Sequence, residues 1–565
     1  MEFLNKLDFR PASFRVFKHY SGVKFKADLT AGIVVGIVAL PLAIAFAIAS
    51  GVSPTAGLVT AIIGGFLVSA LGGNSVQIGG PTGAFIIIVY NIIALYGLTG
   101  LAIATCMAGC LLVLMGVFKL GTVIKFIPYP IVVGFTAGIA LTIFSTQMPD
   151  FFGLTLKEQA PSDFIGKWGV YFRSFGTLDI PTTLTALGSL AIIIVAPRLS
   201  RRIPGALAAI IVASAAVWML RHTGVTDGIE TIGDRFAGMS SAIPAPHALS
   251  LDMKAVNLLL PSAFTIAMLG AIESLLSATV ADGVTGSRTN SNTELIGQGV
   301  ANIVVPFFGG IPVTGAIART MTNITNGGRT PVAGIIHAVV LLLIFLFLMP
   351  LINMVPMACL AAVLVTVAYN MSGWRTVKAI FHNPKSDISI LVTTFLLTVV
   401  FDLTIAIEMG MLLAILLFLK RVTQNTTIRV YGEQLDAAEG TDMDTHEILN
   451  LAPGVSVYEI EGPFFFGVAT RFDEVIRSSS MKERPKVRII RMRKVPFIDA
   501  TGLHNLEILI DSSHQEGIEV VLSGVNENVR AVLHKAGVDN KVGAENICPH
   551  ISKALEVANA MALAE

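Results

Sequence analysis

From Leu29 to Phe118 the chain runs for ninety residues without a single Asp, Glu, Lys or Arg. Hydrocarbon solvates such a run, whereas a water-facing fold would need charge on its surface. Polar markers at Ser50–Pro54, Gly72–Ser75 and Tyr96–Gly100 divide it into pieces of roughly helix length. A segment in lipid must satisfy its own backbone, so each piece reads as a helix rather than a strand of an open sheet. The remainder of the 565 residues extends the pattern, with 53% hydrophobic and 14% charged residues and a mean hydropathy of +0.74. Charge is concentrated at the end: about one residue in ten is charged up to position 420, and about one in four beyond it. A membrane-embedded region followed by a water-soluble tail is the implied organisation, and a single soluble globule is excluded.

Apolar runs bounded by turn signals predict fourteen spans, near 30–49, 54–72, 82–97, 100–118, 129–149, 180–197, 204–220, 256–279, 295–308, 314–326, 331–350, 354–370, 387–401 and 403–419. The basic N-terminal segment, the loop with Arg198, Arg201 and Arg202, and the Trp374–Lys385 stretch are expected on the cytoplasmic side. An even number of spans then leaves both termini cytoplasmic in a multi-pass protein of the cell's inner (plasma) membrane. Residues 151–179 and 221–252 become outer connecting loops. The domain reading is a cytoplasmic segment 1–28, a transmembrane domain 29–420, a linker 421–450 and a soluble domain 451–565. The first thirty residues carry six basic groups between Lys6 and Lys26 and have no early apolar core, so no cleaved leader is expected. Cys106, Cys110, Cys359 and Cys548 form no metal-ligand spacing and read as small hydrophobes. A net charge of +1 argues against a nucleic-acid partner.

Two segments begin alike: Gly79-Gly80-Pro81-Thr82-Gly83-Ala84-Phe85 and Gly309-Gly310-Ile311-Pro312-Val313-Thr314-Gly315-Ala316-Ile317. They fall in the third and tenth spans, corresponding positions in two sets of seven. A matched pair of interrupted helices points to an inverted repeat with a central binding site. A helix that begins inside a membrane protein leaves free N–H groups and the positive end of its dipole in the interior. Two such starts facing each other would hold an anion without a full cationic charge. The expected anion site is therefore Thr82, Gly83, Ala84 and Phe85 with Val313, Thr314, Gly315 and Ala316, the two threonines adding hydroxyl donors. Glycine and alanine at these positions would equally serve tight helix packing.

Glu273 is the most informative ionisable group within a predicted span, because an isolated carboxylate there is costly. Ser277, one turn later, puts an oxygen on the same helix face. The pair would suit either a bound Na+ or a protonatable carboxylate, with no other cofactor implied, and the sequence does not choose between the two ions. Arg319 would pair with Glu273 or add positive field to the anion route. Asp282, Glu294, Asp402 and Glu408 read as end-of-span or packing groups.

These motifs together resemble the SulP anion-transporter family, bacterial relatives of the SLC26 transporters. The similarity spans the chain: Asp28-Leu29-Thr30-Ala31-Gly32, Leu40-Pro41, Gly80-Pro81-Thr82-Gly83, Glu273-Ser274-Leu275-Leu276, Glu294-Leu295 with Gly297-Gln298-Gly299 and Ala301-Asn302, and Phe308-Gly309-Gly310 through Arg319-Thr320. The resemblance implies a polytopic all-α membrane domain of seven plus seven segments, a core moving like an elevator against a gate, and a homodimer. It puts the anion at Thr82–Phe85 and Val313–Ala316, and cation coupling at Glu273 with Ser277. Leu42 and Phe46 stand where many members carry polar Gln and Tyr, so selectivity would lean on the two helix starts.

In the tail, Val455–Ile460, Val487–Met492 and Glu519–Ser523 read as strands, Thr470–Ser478 as a helix, and Asp499-Ala500-Thr501-Gly502-Leu503 as a helix start. This small α/β layer resembles a cytoplasmic STAS domain, with Thr501 at the position where soluble relatives carry a phosphorylatable serine. No P-loop is present, and the chain is not expected to be an enzyme. Secondary active transport of sulfate, bicarbonate or a dicarboxylate, coupled to Na+ or H+, is the leading reading. An uncoupled anion channel, and a non-transporting sensor whose STAS domain receives a soluble protein partner, are the alternatives.

Overall fold

The computed structural model describes residues 9–16, 20–122, 128–158, 161, 163–199, 204–223, 228–236, 242, 244–248, 253–401, 403–431, 434–436, 448–468 and 485–563. It divides into two compact units, Met1–Ala414 and Ile415–Glu565.

In the first unit, α1 (Gly22–Ala49) is capped by Ser21, whose side chain accepts from the Lys24 N–H. A helical stretch follows in three parts: α2 (Pro54–Val59), one π turn (Thr60–Gly64) and α3 (Gly65–Leu71). Strand β1 (Gly79–Gly80) and a 3-10 turn (Gly83–Phe85) lead into α4 (Ile86–Val117), which breaks at Gly97, φ 67° and ψ −171°. That break separates the spans expected at 82–97 and 100–118. Next come α5 (Tyr129–Thr146), α6 (Phe164–Ser174), α7 (Ile180–Leu199), α8 (Gly205–His222) and α9 (Met253–Thr285). The second half continues with α10 (Ser291–Val304), β2 (Thr314–Gly315), α11 (Ile317–Thr325), α12 (Pro331–Phe347), α13 (Met357–Met371), α14 (Lys385–Val400) and α15 (Leu403–Asn425), whose residues from Ile415 onward belong to the other unit. Each of the fourteen expected segments coincides with a helix. Eight helices among the described residues are long and apolar enough to cross a membrane by themselves. Others are shorter, notably α10 and α11, because the chain leaves the helix at Gly309–Gly315. The expected outer loop 151–179 carries α6, a helix of its own.

Packing sorts these helices into two bundles. The first joins α1–α4 with α9–α12, its heaviest contacts being α4 with α10 and α9, and α1 with α12. The second joins α5, α7, α8, α13 and α14, and only sparse contacts cross between bundles. Close glycine crossings explain the density of the first bundle. A Cβ on Gly109 of α4 would lie 2.7 Å from the Gly299 carbonyl of α10, and the reverse is equally true. Without a hydrophobic effect between helices in lipid, such backbone approach supplies the attraction.

In the second unit a five-stranded sheet has the order β3 (Thr427–Tyr431), β4 (Val455–Glu461), β5 (Val487–Lys494), β6 (Glu519–Ser523), β7 (Ile547–Cys548). β3 pairs antiparallel with β4, and the other pairings are parallel. Helices α16 (Ala500–Gln515), α17 (Glu527–Lys535) and α18 (Ile551–Leu563) cover it. Leu506, Ile510, Val529 and Leu533 pack over Ile490, Val520 and Leu522, while Ile551, Ala554 and Leu555 pack with Val457, Ile489 and Val521, so both faces are buried. The segment expected as a linker, 421–450, contributes β3 and a hairpin pairing Gln434–Asp436 with Ile448–Asn450. The helix expected at Thr470–Ser478, and Arg201, Arg202 and Asp402, lie outside the described residues.

Candidate anion and coupling site

The two interrupted segments meet head to head. β1 and β2 pair antiparallel, Gly79 opposite Gly315 and Gly80 opposite Thr314, and the Ala316 N–H donates to the Ile78 carbonyl at 3.0 Å. Just beyond this pairing each chain turns into a helix whose start lacks a side-chain cap, at Thr82 on one side and Ala316 on the other. Uncapped first-turn N–H groups thus flank one spot, with both helix dipoles aimed at it.

A cavity of about 600 Å³ opens in front of them along the seam between the bundles. The first bundle lines it with Leu42, Phe46, Thr82, Gly83, Glu273, Leu276 and Gly315–Arg319, and the second with residues of α5, α7, α8 and α13 and with Gly373 and Thr376. Thr82 Oγ1 donates to Glu273 Oε2 at 2.8 Å, tying the first helix start to the carboxylate on α9. Arg319 is only 2% exposed, and its Nη2 donates to the Pro81 carbonyl at 2.5 Å. Its Nη1 is buried without a partner among the described residues, and the side chain lines the cavity. Gly80 makes room for it: the residue sits at φ 152°, and a Cβ there would lie 2.2 Å from Arg319 Nη1. Glu273 and Arg319 face the same cavity, and the described residues show no ion pair between them.

Behind the wall, a polar network fixes the pairing. Glu294 is fully buried. Its Oε2 accepts from the Gly73 and Asn74 N–H groups at 2.8 and 3.0 Å, and its Oε1 from Gln77 Nε2 at 2.8 Å and Ser274 Oγ at 3.3 Å. Asn302 brackets Val313, donating to its carbonyl at 2.8 Å and accepting from its N–H at 2.9 Å. Thr60, in the π turn, accepts from the Ile311 N–H at 2.8 Å.

Of the residues expected to hold the anion, Thr82, Gly83, Gly315 and Ala316 line the cavity, whereas Ala84, Phe85, Val313 and Thr314 are buried behind it. Thr314 Oγ1 is not a spare donor, because it already donates to the Gly270 carbonyl at 2.9 Å. Ser277 is turned away from Glu273: its hydroxyl donates to Thr320 Oγ1 at 3.3 Å, and the residue is absent from the lining. One helical turn aligned the two side chains, but α11 packs against α9 and captures the serine. Glu273 and Thr82 therefore offer three side-chain oxygens, fewer than a fully coordinated hard cation takes. Glu294, expected as a packing group, is the hub of the network. Arg319 was legible in sequence only as one of two roles. Asp282 caps its helix end as expected, accepting from Ser287 Oγ at 2.7 Å and the Thr289 N–H at 2.8 Å.

A membrane unit of two bundles, divided by a cavity onto which two broken helices open, defines a membrane transport protein rather than an enzyme. The chain belongs to the Sulfate permease family, whose model matches residues 25–394, and a STAS domain matches residues 448–554. It is 41% identical over 536 residues to the putative sulfate transporter YvdB of Bacillus subtilis (strain 168), covering 94% of this chain and 98% of that protein. It is 29% identical over 565 residues to the bicarbonate transporter BicA of Picosynechococcus sp., covering 96% and 94%. Among solved structures, the transmembrane domain of a cyanobacterial BicA superposes with a TM-score of 0.61 at 29% identity, covering 70% of this chain and 98% of that one. Murine Solute Carrier 26 family member A9, in the inward-facing state, superposes with a TM-score of 0.87 at 19% identity, covering 99% and 95%, which is a likeness of fold.

Proposed function

We propose that this chain is a secondary active transporter of a small oxyanion, sulfate or bicarbonate, driven by Na+ or H+ through Glu273. The observation that carries the reading is the pairing of two uncapped helix starts on a cavity wall that also holds the unpartnered Arg319 Nη1. The anion sits against the Gly83 N–H and the first-turn N–H groups of α11, and Arg319 Nη1 supplies a charge-assisted bond. A site made mainly of backbone dipoles holds an anion firmly enough to select it and loosely enough to release it. Glu273 responds to the coupling ion and, through Thr82, transmits its state to the first helix start.

Transport follows from the two bundles sliding past each other, so that the cavity faces each side in turn. Both termini and the open cavity mouth are assigned to the cytoplasm of the cell's inner membrane. Lys24, Lys26, Arg329, Arg375, Lys378 and Lys385 cluster at the helix ends on that side. The working form is a homodimer. The STAS domain regulates it through Thr501, an exposed residue in the first turn of α16, beside the Asp499 carboxylate that accepts from the Gly502 and Phe466 N–H groups at 2.8 and 3.1 Å. A phosphate on Thr501 would add charge next to that carboxylate and change what the exposed helix start attracts.

The test is uptake of labelled sulfate and bicarbonate into proteoliposomes under imposed Na+ or H+ gradients. Gradient-dependent accumulation supports the reading and identifies the ion. Anion flux indifferent to both gradients converts the protein to a channel, and no flux of either anion by folded protein defeats transport.

A further inference from the structure

Away from the cavity, α6 spans the seam and touches both bundles. Cavity-lining residues of α5 are Tyr129, Val132, Val133 and Thr136, all in its first half. The far half of α5 ends at Ser145, whose hydroxyl accepts from Trp168 Nε1 of α6 at 3.0 Å. From the neighbouring position Lys167 reaches across to the other bundle and lies over the Tyr90 ring of α4, 5.4 Å from its centroid. Tyr90 stands beyond the first helix start and beside Gly51 at the end of α1. α6 therefore bridges both bundles at the far mouth.

Lys167 is an unusual residue to use as a strap. It is 5% exposed, and no carboxylate bonds its ammonium among the described residues. Asp163, the nearest acid in sequence, caps α6 by accepting from the Gly166 N–H at 2.6 Å. Burial pushes the Lys167 ammonium below its ordinary pKa against the opposing pull of Asp163. On the same helix the Trp168 and Tyr171 rings lie 6.0 Å apart. A cation held over a π face, with no ion pair to break, is released more readily than one in a buried salt bridge. A carboxylate partner would have neutralised it toward any arriving anion.

The geometry points to Lys167 as the anion-recruiting group of the far mouth, held over Tyr90 while the seam is shut and presented to the incoming anion when the bundles slide. This rests on the anion-transport reading and adds to it a specificity-determining residue at the entrance. Tyr90, on the moving bundle, is the surface that masks the charge in one state and exposes it in the other.

Two measurements on the full-length protein test this, one of them independent of transport. In a Trp218→Phe/Trp374→Phe background only Trp168 fluoresces, and it adjoins Lys167. Iodide is the anionic probe and acrylamide the neutral one. Lys167→Met is expected to reduce iodide quenching roughly twofold while acrylamide quenching is unchanged, because protein in solution exchanges between the two states and presents the charge for part of the time. Equal iodide quenching in both proteins overturns the proposal, whatever the chain transports. In uptake from the far side, Lys167→Met is expected to raise KM about tenfold with Vmax within about twofold, and Lys167→Arg to restore KM. A changed Vmax at unchanged KM would make α6 a mechanical strap and overturn the recruiting role. Failure of the wild-type protein to transport any anion would sink the transport reading, while the quenching result would still stand.

Discussion

Thr82 donates its hydroxyl to the Glu273 carboxylate across 2.8 Å, so the start of one broken helix and the acid on α9 form a single unit. The bond requires an acceptor on Glu273 and fixes the orientation of the first helix start. Glu273→Gln is expected to abolish gradient-driven accumulation while anion exchange between equal pools persists. Thr82→Val keeps the acid but loses the tie, and is expected to lower coupled uptake about tenfold, the effect of one charge-assisted hydrogen bond. Parallel uptake and exchange assays on the two variants check this, and loss of exchange in Glu273→Gln would mean that the acid binds the anion's site directly.

Glu294 is expected to matter for stability rather than coupling. Its carboxylate accepts from two backbone N–H groups and from Gln77 and Ser274, all in a dry interior. Glu294→Ala leaves those donors unpaired and is expected to cost at least about 3 kcal/mol. Glu294→Gln should cost less, since an amide oxygen still accepts. Thermal unfolding in detergent, followed by the loss of monodisperse protein, separates the two variants, and an unchanged midpoint for Glu294→Ala would refute the assignment.

The sequence disclosed the broken helices because Gly-Gly, Pro and Thr-Gly-Ala are local signals, and it disclosed Glu273 because a lone acid in an apolar span is conspicuous. It hid the Glu294 network for the opposite reason. Glu294 stands at the start of a helix, where acids are ordinary, and its partner Gln77 is 217 positions away. The bond of Ser277 to Thr320 was hidden by the same logic, since helical spacing aligns a side chain with its own turn but does not reveal that α11 will supply Thr320. The strand β3 was missed because Thr427–Tyr431 lies at the sheet edge, with a half-exposed, mixed pattern that reads as linker.

Asp28, buried at the start of α1, gathers the Tyr20 hydroxyl at 2.9 Å, the Arg329 N–H at 2.9 Å and the hydroxyl of Thr330. Burial first, and then the bond to Asp28, push the Tyr20 phenol up to about 12 from an ordinary value of 10. The folded chain thus keeps a proton that the unfolded chain releases near pH 10. The stability this contributes is complete below pH 10 and is lost as pH rises through about 12. Tyr20→Phe is expected to cost about 1 kcal/mol near neutral pH and to remove this tyrosine's share of the alkaline fall in melting temperature. A fall of identical size in the variant would show that Tyr20 does not titrate in that window.

Gly315 tests the strand pairing itself. A Cβ there would lie 1.9 Å from Gln77 Nε2. The far end of a glutamine could normally move aside, but Gln77 is buried and donates to both Glu294 and Ser274. Gly315→Ala must therefore break those bonds or push β2 away from β1, and either change displaces the second helix start. Uptake is expected to fall at least about tenfold, more than one hydrogen bond's worth. The Gln77→Ala change removes the obstacle while weakening the network. In that background Gly315→Ala should add little further loss, a strongly non-additive cycle that contact between the two positions requires. Additive losses in uptake would mean that Gly315 is needed for direct approach of the anion rather than for room beside Gln77.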